Sequence, residues 1–166
     1  MNATFYVAST VAVLATLLVI TRTQAVHALL YLVVSLLAVA LVFYTLGAPF
    51  AAALEAIIYA GAIVVLFVFV VMVLNVGGDA ARRERAWLAP GAWVGPGVLC
   101  AVLLAELLYI LYAGTPGTTG LHPVASQQVG AALFGPYVLA VELASMLLLA
   151  ALVGAHHLGR REHLER

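Results

Sequence analysis

From Ala56 to Leu74 the chain reads AIIYAGAIVVLFVFVVMVL, without a single charge, directly after a carboxylate at Glu55. A helix rises 1.5 Å per residue and a bilayer's hydrocarbon core is about 30 Å thick, so about 20 apolar residues cross it. Inside lipid no water satisfies the backbone, so a spanning run of this kind must be helical. Four further runs have the same character, which gives spans at roughly 3–20, 27–47, 52–74, 92–113 and 133–155. Composition leaves no room for a water-soluble alternative. The chain is 66% hydrophobic and 8% charged, with a mean hydropathy of +1.16, and a soluble domain of this length needs a polar surface. The expectation is an all-α integral membrane protein, one transmembrane helical domain over residues 1–166, with five helices.

The distribution of arginine orients it. Arg22 lies between spans one and two, Arg82, Arg83 and Arg85 between three and four, and Arg160, Arg161 and Arg166 after span five. With five spans these segments share one face, and the segments on the opposite face carry no arginine. The positive-inside rule then puts the N-terminus outside, in the periplasm, and the C-terminus in the cytoplasm. Trp87 and Trp93 stand near the start of span four, where interfacial aromatics belong. The first residues, MNATFYVAST, lack a basic region, and the apolar stretch behind them exceeds a signal-peptide core. A retained first helix is expected.

Several functions are excluded or disfavoured. Cys100 is the only cysteine, so neither an intramolecular disulfide nor a paired-cysteine metal site is available. Zero formal net charge gives no general attraction to nucleic acid. No inverted pair of broken helices marks a transporter. No glycine-rich phosphate loop and no nucleophile with a base are present. His27, His156 and His157 read as interfacial histidines, since bis-histidine haem needs imidazoles that face each other. The chain therefore shows no redox or hydrolytic centre and no metal site of its own.

Three carboxylates fall within spans: Glu55, Glu106 and Glu142. A charge at the bilayer centre costs about 2.5–3.5 kcal/mol on insertion scales, so such groups usually face protein or a wet cavity. From the expected spans, Glu55 lies about 5 Å, Glu106 about 10 Å and Glu142 about 12 Å from the outer ends of their helices. A carboxyl at such depth is a candidate for proton relay; the alternatives are interfacial hydration for Glu55 and, for Glu106, a local hydrogen bond or a place facing a neighbouring subunit. Tyr59 follows Glu55 by four residues and shares its helix face, so its hydroxyl can bond the carboxyl, a water chain or an ordinary buried partner. Gly61 lowers helix propensity by about 1 kcal/mol, and the β-branched Ile63, Val64 and Val65 follow it. Ala56 and Ala60, like Ala140 and Ala144 in span five, also make small-xxx-small faces suited to close helix contact in lipid.

The run HALLYLVVSLLAVALVFYTLGAPFAAALEAIIYAGAIVVLFVFVVMVLN, residues 27–75, resembles the J-type membrane subunits of bacterial respiratory complex I, the NADH:quinone oxidoreductases. So does LFGPYVLAVELASMLLLAALVGAHHLGR, residues 133–160. The stretch from about 98 to 130, which contains Glu106, matches the family pattern less well. The resemblance implies a non-catalytic membrane-arm subunit in the bacterial cytoplasmic (inner) membrane. Its partners would be the other membrane subunits: small helical subunits, the quinone-chamber subunit and the antiporter-like pumps. It implies no cofactor in this chain, with FMN, iron–sulfur clusters and quinone elsewhere in the complex. It further implies a π-bulge in the third helix near Tyr59 and Gly61, extending toward Val65, that converts to α-helix. Val65 and Phe67 would then swing relative to a water path, with Glu55 and Glu142 as proton-path carboxyls. The competing readings are a subunit of a related cation/proton antiporter or membrane hydrogenase, and a purely structural scaffold. The antiporter-like pumps rely on buried lysines, and this chain has no lysine.

Overall fold

The computed structural model describes residues 3–74, 90–113 and 123–159. Arg82, Arg83, Arg85, Trp87, Arg160, Arg161 and Arg166 lie outside the described residues. The described chain is helical, with no strand. Five helices are long and apolar enough to cross a membrane: Ala3–Thr21, Ala25–Thr45, Pro49–Val73, Trp93–Tyr112 and Val138–Gly159. The contacts divide into two compact units, Met1–Val124 and Ala125–Arg166.

In the first unit, α1 (Ala3–Thr21) and α2 (Ala25–Thr45) form an antiparallel hairpin. Ala8, Ala15 and Ala38 are fully buried, and Val11 and Val34 nearly so. Small side chains matter here because lipid is as apolar as leucine. Helices in a bilayer gain by close van der Waals approach and hydrogen bonds rather than by expelling water. A hydroxyl pair supplies the polar part: Thr16 Oγ1 and Ser35 Oγ are 2.7 Å apart. Ser35 also donates to the Ala12 carbonyl at 3.3 Å. Leu103, from the fourth span, completes this core.

The turn between spans two and three is set by the sequence Leu46-Gly47-Ala48-Pro49. Gly47 has φ 83°, the left-handed conformation that suits glycine. The Ala48 N–H donates to the Phe43 carbonyl at 3.0 Å and the Gly47 N–H to Tyr44 at 3.1 Å. That is the Schellman pattern, which satisfies the last carbonyls of α2. Pro49 then opens α3 (Pro49–Leu54) at its first turn, where its missing N–H costs nothing. Span three therefore begins at Pro49, three residues before the start expected from hydropathy. It continues through a π-helical segment, Glu55–Ile63, into α4 (Val64–Leu74).

Span four is α5 (Pro90–Ala113), with Pro96 inside it. The second unit contains a short helix, α6 (Ser126–Leu133), and α7 (Val138–Gly159), the fifth span. The 134–137 turn separates them. A Cβ at Gly135 would lie 2.7 Å from the Ala131 carbonyl oxygen, so only glycine fits this approach. Gly135 and Pro136 thus end one helix and precede the next, and the spanning helix begins five residues later than hydropathy suggested.

Candidate functional site

Span three changes its hydrogen-bond period in mid-membrane. At the end of the Glu55–Ile63 segment the Val64 N–H points at the carbonyls of Tyr59, five residues back, and Gly61. An i→i−5 bond is the π pattern; it fits one more residue into a turn than an α-helix does. The resemblance placed a bulge from Tyr59 and Gly61 toward Val65. The segment here opens earlier, at Glu55, and has returned to α-helix before Val65. Gly61 sits where the backbone crowds itself. A Cβ there would come 3.3 Å from the Ala56 carbonyl oxygen, so alanine is accommodated only if that carbonyl yields.

Most of this helix is uncovered by its own chain. Among its described side chains only Ala52, Ala60 and Val64 are buried. Tyr59 is 52%, Val65 63% and Phe67 51% exposed. Ala60 is the buried half of the expected Ala56/Ala60 face, and Ala56 lines an apolar cavity of about 660 Å³ between spans two, three and four. Cys100 opens onto the same cavity as a free thiol. The groups singled out from sequence, Glu55, Tyr59 and Gly61, lie within one π-helical segment, and Val65 and Phe67 follow within α4. Glu55 and Tyr59 do not bond to each other or to any other described side chain.

The carboxylates sit at other depths than hydropathy indicated. Counted from Pro49, Glu55 is about 9 Å along its helix, deeper than expected. Counted from Val138, Glu142 is about 6 Å along, shallower than expected. Glu142 is exposed within its own unit, where the Ser145 hydroxyl bonds its backbone carbonyl at 2.7 Å. Ala140 and Ala144 are exposed there as well. Glu106 stays at about 10 Å from Ala113. One of its carboxyl oxygens, Oε2, is buried without a hydrogen-bond partner among the described residues. It stands three residues from Leu103 and four from Ile110, both buried, and so on the inward face of α5. The local hydrogen bond considered for Glu106 is not formed by this oxygen; its burial depends on neighbouring helices that periodicity cannot supply.

No group of three or more His, Cys, Asp or Glu side chains among the described residues is arranged to hold a metal. What this unit offers chemically is a carboxyl and a phenol on a π-helical segment set within an apolar spanning helix. These features define a multi-pass helical membrane subunit whose third span contains a π-helical segment. The chain belongs to the NADH-ubiquinone/plastoquinone oxidoreductase chain 6 family, whose model matches residues 15–158. It is 61% identical to NADH-quinone oxidoreductase subunit J of Pseudomonas aeruginosa, over 98% of both chains. It is 58% identical to the subunit J of Escherichia coli K12, over 98% of this chain and 88% of that one. With the subunit J of Buchnera aphidicola from Schizaphis graminum it shares 45% identity over 98% of this chain and 99% of the relative.

Proposed function

We propose that the chain couples quinone reduction to proton translocation through a π-to-α transition in its third span. Its family makes it a membrane-arm subunit of NADH-quinone oxidoreductase, part of the enzyme complex and a partner of other complex subunits. In this reading it acts as one transmembrane helical domain in the bacterial cytoplasmic membrane, N-terminus outside and C-terminus in the cytoplasm. It contributes no catalytic group to electron transfer. FMN, the iron–sulfur clusters and quinone are carried by other subunits, and its neighbours are small helical subunits, the quinone-chamber subunit and the antiporter-like pumps.

The π-helical segment Glu55–Ile63, flanked by α-helix on both sides, carries this reading. Removing one residue's worth of π turn rotates all that follows by about 100° and advances it about 1.5 Å. On α4, Val64 is the buried residue. A one-residue rotation brings a sequence neighbour, Ile63 or Val65, to the place where Val64 packs, and reorients Phe67. Gly61 tolerates both periods because it has no Cβ to press on the Ala56 carbonyl. Tyr59 turns with the segment and so changes the hydrogen-bonding surroundings of Glu55. In this reading Glu142 is a second proton-path carboxyl.

The test is proton pumping measured beside NADH:quinone turnover in membranes carrying Gly61→Leu or Tyr59→Phe, with assembly followed by native electrophoresis. Coupling should fall at least severalfold in Gly61→Leu complexes that assemble normally. Normal pumping in both variants would leave the third span as scaffold.

A further inference from the structure

At the junction of α1 and α2 lies a polar cavity of about 500 Å³, lined by Arg22, Gln24, His27 and Tyr31, with Gly95 of α5 at its edge. Tyr31 is buried, and its ring carries the Arg22 guanidinium at 5.2 Å from the centroid. The same guanidinium donates to the Tyr31 hydroxyl at 3.5 Å. A Cβ at Gly95 would collide with that hydroxyl, so glycine makes the room in which it sits. The stack and the hydrogen bond orient the guanidinium, yet no carboxylate pairs with it among the described residues. An oriented arginine keeps donors free in a planar fork, the geometry that fits phosphate in two-point fashion. Beside it, the Gln24 Oε1 is buried and has no donor among the described residues.

We propose that this cavity holds the headgroup of an anionic phospholipid, with the phosphodiester on Arg22 and a headgroup hydroxyl donating to Gln24. Position selects the ligand. Arg22 follows the last residue of α1 and Gln24 caps α2, so the cavity lies at the end of two spanning helices, where lipid phosphates lie on either membrane face. Basic pockets between spanning helices are suited to anionic headgroups. The site has both a cationic donor and a buried acceptor, which matches a hydroxylated phosphodiester better than a bare anion or a carboxylate.

The experiment uses the intact complex, purified in detergent and stripped of loosely held lipid. Retained phospholipid is counted by native mass spectrometry. Restoration of NADH:quinone turnover is then titrated with phosphatidylglycerol and, separately, with phosphatidylcholine. Arg22→Gln should lose one retained anionic lipid and need about tenfold more phosphatidylglycerol for half-maximal restoration, as expected for losing one charge-assisted contact. The phosphatidylcholine titration should not change. Tyr31→Phe keeps the ring but removes the acceptor that orients Arg22; it reads the same shift, smaller, if Arg22→Gln fails to assemble. Unchanged retention and midpoint in an assembled variant overturns the proposal. So does displacement of the lipid effect by millimolar inorganic phosphate, which identifies a free-anion site. Weakened subunit association with unchanged lipid retention also overturns it, because an acidic side chain of a neighbouring subunit is then the occupant.

Discussion

Spans one and two are fitted to each other along their length: Ala8, Val11, Ala15, Val34, Ser35 and Ala38 are all buried between helices. Span three, at least as apolar, buries only Ala52, Ala60 and Val64 among its described side chains and exposes Tyr59, Val65 and Phe67. The first pair closes on alanines and a hydroxyl–hydroxyl contact. The third helix carries its bulk outward and loses α-helical period in its middle. Within this chain, hydrophobicity alone therefore does not decide how closely a spanning helix is held; small residues and hydrogen bonds that let it close on a neighbour do. The third span has few such contacts inside its own subunit.

The largest effect that sharpens this contrast is expected from overfilling the locked pair. Ala38 has no exposed surface, so Ala38→Leu has to push α1 and α2 apart. The expected cost is about 3 kcal/mol, the upper end for overpacking. It would appear as reduced incorporation of the subunit and a lower thermal midpoint of the purified complex. A leucine at exposed Val65 should leave both unchanged. If Ala38→Leu assembles at wild-type level, the hairpin is no better locked than the third span and the contrast fails.

A medium effect is expected where the two regions join. Gly47 holds φ 83° at the end of α2, and a Cβ there costs about 1–2 kcal/mol. Gly47→Ala should lower the thermal midpoint while leaving pumping per assembled complex intact, because this turn anchors span three rather than switching it. A loss of coupling at unchanged stability would instead make the turn part of the moving element.

How far sequence reaches follows the same division. Five spans and an all-helical chain were legible because a bilayer demands long apolar helices and nothing else in the composition competes. The ends were less legible, since hydropathy does not see caps. Pro49 is hidden in an apolar context, yet glycine two residues earlier and the carbonyls it satisfies make it a helix start. At the other boundary, the close approach of Gly135 to Ala131 makes Gly135 and Pro136 a turn behind a short helix, Ser126–Leu133, inside what hydropathy reads as one continuous span. These shifts alone move Glu55 deeper and Glu142 shallower. The π-helical period was not readable from periodicity at all. Gly61 and the β-branched residues after it lower helix propensity without specifying an i→i−5 bond, and only the family resemblance suggested one. The Arg22–Tyr31 stack had no signal either, because it depends on how the α1–α2 turn folds the chain back.

The smallest effect concerns the hydroxyl pair that distinguishes the locked region. Thr16 Oγ1 already bonds the Ala12 carbonyl of its own helix at 2.8 Å, and Ser35 reaches the same carbonyl from the other helix at 3.3 Å. If α1 and α2 separate within the lipid, Thr16 keeps its own-helix acceptor, and Ser35 can turn to a carbonyl of α2. Neither hydroxyl is then stranded in hydrocarbon, so the bond between them is worth little despite its 2.7 Å length. A double-mutant cycle with Thr16→Val and Ser35→Ala should return a coupling of about 0.6 kcal/mol, the average for interhelical hydrogen bonds in membranes. A value near zero would assign the locking of α1 and α2 to Ala8, Ala15 and Ala38 alone. A value above about 1.7 kcal/mol, the top of that range, would mean that the hydroxyl pair dominates it. In that case span three differs from the hairpin chiefly in lacking an interhelical hydroxyl pair, and placing a serine on its Ala60 face opposite α2 should hold it more tightly and reduce coupling.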